Sequence, residues 1–407
     1  MRTLVVAGDY PWPEDRGPRM RLAMVLRALR RCGDVELCSV ISRFRTDFGP
    51  PDDALGLAKV TRVGFDNRPA SGARLLSTLR RPSMPLELPW QDRSTVQRAL
   101  ARAMTGRYDL VWFFGARPWV LAGEPVFAPT ILDLDDLEDQ KVAARLSVPR
   151  PAPTGWAERA RRRASTVVAQ EEIRRWGRLY RRAAGRVSAI AVCSDLDADR
   201  AARVGVANVA VVPNGYRSVR NPVGRIVVGS PPTVLFQGLL TYPPNIEAAR
   251  WLAGRVGPAL RALVPEAEIR LVGDHHPELM EVHDPPRVSV VGRVPDIAEE
   301  LARADLVVVP LRYGSGTRVK ILEAFAHRIP VASTTLGAEG LGAVDGVHLL
   351  VGDTTAALAG ACARLLRETG LRRSVVSEAG ALFSDRFATD VIEVRIADLA
   401  RTVAASP

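Results

Sequence analysis

Residues Leu311–Leu341, LRYGSGTRVKILEAFAHRIPVASTTLGAEGL, organise the rest of this chain. They follow an apolar run, Leu306–Pro310, that predicts a short buried strand. The glycine turn Gly314–Thr317 comes next, and from Arg318 to His327 apolar residues recur at helical spacing. A strand, a glycine turn and a helix N-terminus together form an anion site, because unpaired backbone N–H groups and the helix dipole both favour negative charge.

Two basic residues, Arg318 and Lys320, lie in the first turn of this predicted helix, where a helix without a ligand favours acids. The chain has only three lysines, and Lys320 is one of them. A lysine ammonium suits a phosphate oxygen, whereas arginine prefers flat bidentate partners. The pattern therefore favours a phosphate ligand over a plain turn with solvated cations. Glu323, on the same helix face, could pair with Lys320 or accept from ligand hydroxyls.

Length and composition bound the class of protein. With 407 residues, 47% of them apolar and 25% charged, the chain is long enough for two globular domains. A net charge of +11 favours an anionic partner such as a nucleotide or a lipid headgroup. No basic tract is interleaved with aromatic residues, so we do not expect a nucleic-acid partner.

The expected compartment is the cytoplasm. Four scattered cysteines without a C-x-x-C pair predict neither a zinc site nor a disulfide framework. The N-terminal apolar run is short for a signal peptide and predicts a first strand, and no run approaches the ~18 apolar residues of a membrane span. All five histidines lie in the second half, which excludes a histidine general base from the first half.

The first half reads as the start of a doubly wound sheet, in which ligands lie at the carboxyl ends of the strands. The predicted elements are strand 4–7, loop 8–19, helix 20–30, strand 35–40, helix 96–104 and strand 108–114, with loops and short helices over 43–89. Gly17 lies where backbone could approach a ligand, and a plain turn glycine is the alternative.

A carboxylate cluster, Asp133, Asp135 and Asp136, ends a further predicted strand over residues 129–136. Alternation along the strand would turn Asp133 and Asp135 to one face. Carboxylates at the carboxyl end of a parallel strand are in a functional position, and the pattern favours contact with an acceptor or substrate over a metal site. Capping of the next helix is the alternative for Asp136.

A long predicted helix, residues 156–184, has an arginine-heavy face. This face is either solvated or contacts an anionic membrane surface or an acidic acceptor. In the second case the protein would be peripheral at the inner face of the membrane.

Strands and helices alternate again from Thr233 onward. We therefore predict two doubly wound Rossmann-like α/β domains facing a central cleft. The first is expected over residues 1–216 and the second over 232–385, with a C-terminal helix, about 386–407, crossing back onto the first. Oligomeric state is not predicted by the sequence.

Five segments follow one another in the second half: Phe236–Asn245 (FQGLLTYPPN), Val272–Gly273, Val291–Asp296 (VGRVPD), Pro310–Ala326 and Pro330–Gly340. As an ordered series they resemble the family-4 retaining glycosyltransferases of GT-B fold. The similarity covers nearly all of residues 233–386. In the first half, Gly17, the strand ending at Asp136, Cys193–Ser194 and the motif Pro213–Gly215 fit the same order less closely.

The resemblance implies a nucleotide-sugar donor, which is a co-substrate and not a cofactor, lying in the cleft mostly on the second domain. The implied donor-binding residues are Gly17, Gln237, Gly238, Arg293, Val294, Gly314, Ser315, Gly316, Thr317, Arg318, Lys320, Glu323, Gly337 and Glu339. Within this set the diphosphate would lie on the glycine turn, the base near Arg293, the ribose at Glu323 and the sugar near Gly337.

The resemblance also implies front-face transfer with retained anomeric configuration to a small-molecule or glycan acceptor. The implied catalytic residues are Asp135, Arg318 and Lys320, the leaving diphosphate being stabilised by fixed positive charge. Asp133 and Asp136 would contact the acceptor, and no metal is implied.

Three features depart from the family pattern. Ser315 stands where the first glutamate of a Glu-x7-Glu motif is common, and no basic pair follows Gly238. Asp135 stands near the position of a first-domain histidine. A non-catalytic nucleotide-sugar-binding protein and a GT-B epimerase are therefore alternatives, although the epimerase lacks histidine acid/base candidates in the first half. A dinucleotide dehydrogenase is not expected, since no G-x-G-x-x-G follows the first strand.

Overall fold

A computed structural model describes residues 1–45, 47–65, 83–86, 88, 93–104, 106–146, 153–220, 222, 228, 231–314 and 318–405. The chain forms two compact units. The first comprises Met1–Asn214 together with Ile392–Pro407, and the second comprises Gly215–Val391. The second unit thus begins inside the motif Pro213–Gly215, and the C-terminal return begins at Ile392.

The first unit contains a seven-stranded parallel sheet in the order β3-β2-β1-β4-β5-β6-β7. Its strands are β1 Arg2–Ala7, β2 Asp34–Ser42, β3 Lys59–Phe65, β4 Leu110–Phe114, β5 Thr130–Asp135, β6 Ala189–Val192 and β7 Val209–Val211. The central strands are apolar along their whole length, as expected for a parallel sheet covered on both faces.

Helices cover both faces of this sheet. They are α1 Gly17–Arg30, α2 Arg93–Ala103, α3 Ala116–Leu121, α4 Glu138–Leu146, α5 Trp156–Ala184 and α6 Asp195–Arg203. Trp119, Trp176 and Tyr180 pack on one face, and the buried side of α1 packs on the other. Ser194 caps α6 by accepting from the backbone N–H of Asp197, as its position in the sequence predicts.

Two predicted features of the first half are wrong. Residues 59–65 form the edge strand β3 where we expected loops and short helices. Only Val63 and Phe65 of this strand are buried, so its alternation is too short to stand out in the sequence. Helix α1 begins at Gly17 and not at Met20, because Pro18 is well suited to the first helical turn.

The second unit contains a six-stranded parallel sheet in the order β10-β9-β8-β11-β12-β13. Its strands are β8 Thr233–Gln237, β9 Glu268–Val272, β10 Val288–Gly292, β11 Leu306–Val309, β12 Val331–Ser333 and β13 Leu350–Val351. The predicted fold class, two doubly wound Rossmann-like α/β units, is confirmed.

The helices of this unit are α7 Pro243–Trp251, α8 Gly257–Leu263, α9 Ile297–Arg303, α10 Val319–Ala326, α11 Thr355–Arg367 and α12 Thr369–Arg386. The sequence predicts one helix over residues 246–263, but α7 and α8 are separate helices joined by a π-helical stretch, Leu252–Val256. Pro258 lacks the N–H of a regular helix, and the wider turn accommodates the break. None of the described helices is long and apolar enough to cross a membrane.

The last helix, α13 Thr389–Ala405, is separated from α12 at Phe387–Ala388, whereas the sequence predicts one helical segment over residues 375–405. Tyr216 bonds to the backbone on both sides of this break. Its N–H donates to the carbonyl of Phe387 at 3.0 Å, and its carbonyl accepts from Thr389 at 3.1 Å. Further along α13, Ile392, Ile396 and Val403 are buried in the core of the first unit.

Candidate functional site

Strands β8 and β11 form the switch point of the second sheet, since the chain proceeds to opposite sides from these two neighbours. Ligands of doubly wound folds bind at the carboxyl ends of the strands at such a point. Gly238 follows β8, and Gly314 and Arg318 follow β11. The topology therefore brings the two stretches that the sequence singled out to one edge of the sheet.

Two glycines lie at this edge. Gly238 has φ of +142°, and a Cβ there would lie 3.1 Å from the ammonium of Lys320. Gly273, which follows β9, has φ of +133°, and the carbonyl oxygen of Gly238 leaves no room for a Cβ at that position. Both positions therefore require glycine, because the backbone is left-handed or closely approached there.

Lys320 is half-buried beneath this edge. Its ammonium donates to the side-chain oxygen of Asn245 at 3.0 Å and lies 4.5 Å from the ring centroid of Phe236. Burial, together with the charge of Arg318, lowers the pKa of Lys320 to about 7, against the opposing effect of Glu323. A bound anion would offset this cost, so the site favours a negatively charged ligand.

Arg318 is buried and forms the N-cap of α10, a helix with no acidic residue in its first turn. One of its guanidinium nitrogens, Nη1, would lie 3.8 Å from a Cβ on Gly314. Two cations thus lie at the N-terminus of α10, where the helix dipole adds positive potential. The predicted ligands Ser315, Gly316 and Thr317 lie outside the described residues.

Glu323 is bound by side chains of its own unit. Its Oε2 accepts from Nε2 of Gln237 at 3.1 Å, and the hydroxyl of Tyr216 also donates to it. Burial raises the pKa of Glu323, while Gln237, Tyr216 and Lys320 oppose the rise. The sequence left two roles open for Glu323, pairing with Lys320 or accepting from ligand hydroxyls. The ammonium of Lys320 donates its hydrogen bond to Asn245 and not to Glu323. The carboxylate remains able to accept from ligand hydroxyls.

The remaining predicted donor residues differ in their surroundings. Arg293 is exposed, with Asp274 at 3.7 Å, and Val294 is half-buried beside it. Gly337 is enclosed by Ser333, Thr334 and the carbonyl of Val309, which leave no room for a Cβ. The N–H of Gly337 donates to the hydroxyl of Thr334 at 2.9 Å, so its packing alone requires glycine. Glu339 is half-buried two residues further on.

In the first unit, Asp133 has a different place from the one expected for an acceptor ligand. It is fully buried and pairs with Arg21, which is also buried. The guanidinium donates to its two oxygens at 2.8 and 3.2 Å. Burial raises the pKa of Asp133 and Arg21 opposes the rise. Its carboxylate is therefore committed to holding the interior of this unit.

Asp135 lies at the end of β5 in a strained conformation. Its φ is +53°, in the left-handed region, and the pairing register of β5 with β6 shifts between Asp133 and Asp135. The simple alternation assumed from the sequence therefore does not apply. Oδ1 of Asp135 accepts from Asn214 at 2.9 Å. A strained, held carboxylate at a strand end is typical of functional sites.

Asp136 and Gly17 complete the predicted residues of the first unit. Asp136 lies 3.5 Å from the ammonium of Lys141. Burial disfavours the charge on Lys141, but Asp136 and Glu138 outweigh it and raise the pKa of this lysine. Gly17 is the first residue of α1, half-buried, with its neighbour Arg16 as the N-cap. Among the described residues, no group of three or more His, Cys, Asp or Glu is arranged to hold a metal ion.

Several contacts of these sites were not predicted from the sequence. Asn245 ends the segment quoted for the resemblance, although its bond to Lys320 was not expected, Tyr216 is a single polar residue whose partner is distant in the chain, and Arg21 resembles the other arginines of α1. Asn214 belongs to a motif that was noted, although its bond to Asp135 was not expected.

Residues 231–368 match the family Glycosyl transferases group 1. A stretch of 129 residues is 27% identical to an uncharacterised 44.6 kDa protein in the cps region of Klebsiella pneumoniae. This match covers 29% of the present chain and 33% of that protein, so the similarity spans about a third of the curated relative.

Solved structures match the whole chain. The structure of HepE from Anabaena in complex with UDP and glucose has a TM-score of 0.63 at 18% identity, with 99% of each chain covered. Sucrose-phosphate synthase from Thermosynechococcus elongatus has a TM-score of 0.69 at 16% identity, with 100% of each chain covered. The fold is GT-B. At these identities the structural similarity shows the fold alone. The family match, residues 231–368, lies in the second unit.

Proposed function

We propose that this GT-B protein is a glycosyltransferase that moves a sugar from a nucleotide-sugar donor to a small-molecule or glycan acceptor, with retention of anomeric configuration. The observation that carries the proposal is Lys320. A half-buried lysine with a lowered pKa, beside Gly238 and Arg318 at the switch point, favours a polyanion such as a diphosphate.

We propose the donor contacts that the resemblance implies. The diphosphate is bound by Lys320, Arg318 and the backbone at Gly314, and the ribose hydroxyls donate to Glu323. The base lies along the backbone near Arg293 and Val294, and the sugar lies near Gly337 and Glu339. Gln237 contributes by orienting the carboxylate of Glu323, to which it donates.

In the proposed reaction, the bond between the anomeric carbon and the diphosphate oxygen breaks while the acceptor oxygen bonds to the same face of the sugar, and the proton of the acceptor hydroxyl passes to the leaving diphosphate oxygen. Negative charge develops on the leaving diphosphate. Lys320 and Arg318 stabilise this charge from fixed positions, which is the largest contribution such a site can make. Since the chain itself supplies these cations, we propose that the reaction needs no divalent metal.

The acceptor is proposed to bind to the first unit, at the carboxyl end of β5. Asp135, held by Asn214, contacts the acceptor hydroxyl, and Asp136 lies beside it. Asp133 is assigned a supporting role, because its carboxylate is enclosed with Arg21.

Product analysis tests the reaction. The purified protein is incubated with UDP-glucose and other nucleotide-sugars, with p-nitrophenyl glycosides as acceptors and with a chelator present. The expected result is a glycoside whose anomeric proton coupling matches that of the donor. An inverted product would contradict retention. Donor epimerisation without transfer would indicate the epimerase, and binding without any turnover would indicate the non-catalytic alternative, which the departure at Ser315 favours.

A further inference from the structure

The N-terminal part of α5, Trp156–Val168, is named here the α5 arm. None of residues 156–174 is buried, whereas the C-terminal part of α5 carries all its buried residues, among them Trp176, Leu179 and Tyr180. A helical segment of this length gains most of its stability from packing a face against a partner. The α5 arm therefore presents a surface that its own unit does not cover.

This surface includes an apolar stripe. Its members recur at positions i, i+1, i+4, i+8, i+11 and i+12, which fall on one side of a helix. They are Trp156, Ala157, Ala160, Ala164, Val167 and Val168. The three large side chains are exposed, Trp156 by 79%, Val167 by 63% and Val168 by 54%. The arm thus turns a continuous apolar stripe toward solvent.

The opposite side of the helix faces the fold. Glu158, Arg162, Ala169 and Ile173 share that side and are half-buried, and α5 packs there against the first unit and its neighbour α4. Glu158 pairs with Arg162 on this side. The orientation is the reverse of an ordinary surface helix, whose apolar stripe faces the core.

Cations border the exposed stripe. Arg159, Arg161 and Arg163 are exposed, and within the described chain no acid pairs with them. Arg161 and Arg163 lie on either side of the stripe. A second copy of the arm would bring like charges together, which disfavours self-association through this surface. An anionic surface with an apolar layer beneath it complements both features.

We propose that the α5 arm docks in the plane of an anionic lipid bilayer. Trp156, Val167 and Val168 insert at the boundary of headgroups and acyl chains, and the bordering arginines contact the lipid phosphates. Because the arginines interact only with an anionic surface, binding depends on the lipid charge and on the ionic strength, while the apolar side chains supply the insertion. The proposal stands on the arm alone and does not depend on the proposed function.

Vesicle co-sedimentation tests it with the full chain. The probes are vesicles of phosphatidylcholine alone and vesicles with roughly 30% phosphatidylglycerol, which supplies the anionic surface. The wild type is expected to bind the anionic vesicles, and raising the salt several-fold above ~0.1 M is expected to release it because the Debye length shortens. The tryptophan emission is expected to shift to the blue on binding, and Trp156→Phe is expected to remove that shift.

Two sets of variants separate specific docking from bulk charge. Arg159→Gln, Arg161→Gln and Arg163→Gln combined are expected to weaken partitioning on the order of a hundredfold. Arg367→Gln, Arg373→Gln and Arg395→Gln combined make the same change in net charge at exposed positions of α11, α12 and α13, and are expected to leave binding nearly unchanged. Both sets should remain folded, because none of the six side chains is buried.

Equal loss in both sets would show that net charge alone drives binding, and would overturn the proposal. So would equal binding to neutral and anionic vesicles, or no binding to either. If Val167→Ser with Val168→Ser instead converts a dimer to a monomer in sedimentation velocity without affecting lipid binding, the stripe is a self-association surface and the membrane assignment is wrong.

Discussion

At the scale of single residues, the proposed donor site depends on Lys320, whose charged form is disfavoured by its surroundings. Burial and Arg318 lower the pKa of Lys320, while Asn245 and the ring of Phe236 hold its ammonium in place. The charged form of Lys320 is therefore disfavoured in the free protein, and a bound anion would favour it. As pH rises above about 7, donor binding should weaken, whereas the free protein should become more stable because the lysine loses its charge.

Donor binding should weaken as pH rises. The pKa of Lys320 is about 7 in the free protein, and a bound diphosphate raises it, so binding takes up a proton. The dissociation constant of a nucleotide-sugar should increase by up to tenfold per pH unit between about pH 7 and pH 9. Titration calorimetry in buffers of different ionisation enthalpy measures both the affinity and the proton uptake.

Lys320→Arg is the control, because arginine stays charged throughout this range. Its affinity should not vary with pH. Burial lowers the pKa of His327, so that it titrates below this range, and burial raises the pKa of Tyr216. Burial also raises the pKa of Glu323, but this carboxyl is present in Lys320→Arg as well, so the control separates its titration from that of Lys320. Wild-type affinity that is constant from neutral to alkaline pH would rule out Lys320 as the titrating ligand.

Removing this charge should stabilise the free protein. A lysine with a folded-state pKa below its unfolded value of about 10.4 costs stability below that pKa, and the cost disappears as pH approaches the unfolded value. Relief of even one pKa unit is worth about 1.4 kcal/mol, or roughly 3–6 °C in melting temperature for a unit of this size. Lys320→Met should therefore melt higher than the wild type near pH 7 and bind no nucleotide-sugar.

The gain should shrink at high pH, which distinguishes relief of the charge from better packing. A difference in melting temperature between Lys320→Met and the wild type that stays constant from pH 7 to pH 10 would contradict the lowered pKa, because loss of the bond to Asn245 alone would not vary in this way.

How much of the site the sequence predicted depends on the kind of signal. Arg318, Lys320 and Glu323 are close in the chain, and helical spacing places them together. Asn245 and Tyr216 approach Lys320 and Glu323 only through the fold, so no local pattern reports them. The strain at Asp135 arises from a bulge against β6, which likewise has no local signature.

At the scale of elements, α13 shows how the end of the chain stabilises its beginning. Ile392, Ile396, Ala400 and Val403 lie in one core with strands β1 and β4 and helix α1. Glu393 on the same helix is buried and accepts from Arg27 at 3.0 Å. The first unit is therefore incomplete without the last helix.

Ile396→Ala should lower the free energy of unfolding of the first unit by about 2–5 kcal/mol, because a fully buried side chain leaves a cavity. Val394→Ala on the same helix, where the side chain is exposed, should change it by less than about 0.5 kcal/mol. Urea unfolding monitored by circular dichroism measures both. Equal effects of the two substitutions would show that α13 does not pack through its Ile396 face.

The types of the elements were easier to predict than the boundaries between them. Long periodic segments such as α5 and apolar runs such as β11 have a local sequence pattern that indicates helix or strand. The edge strand β3, the π-helical joint before Pro258 and the break at Phe387 depend on neighbours or on a single residue, and the sequence pattern did not show them.

At the scale of the whole molecule, two sheets have the same doubly wound topology, but different side chains lie at their carboxyl edges. In the second unit, Lys320, Arg318 and Gly238 lie at the switch point. The first gathers the carboxylates of β5 with Asn214 and Arg21. The repeated alternation of strands and helices was enough to predict this architecture. The proposed division of roles, with the donor on the second unit and the acceptor on the first, rests on the charge at each edge.

The most direct test of the central claim is thermal stabilisation across a panel of nucleoside diphosphates and nucleotide-sugars, on the wild type, Lys320→Ala and Lys59→Ala. Lys59 is an exposed lysine of β3 in the other unit and serves as the matched control. Ligand at a hundredfold excess over its dissociation constant stabilises the native state by about 2.7 kcal/mol. We expect the melting temperatures of the wild type and of Lys59→Ala to rise selectively with nucleotides of one base, and that of Lys320→Ala to remain unchanged. A shift that survives in Lys320→Ala, or no shift with any nucleotide, would contradict the central claim.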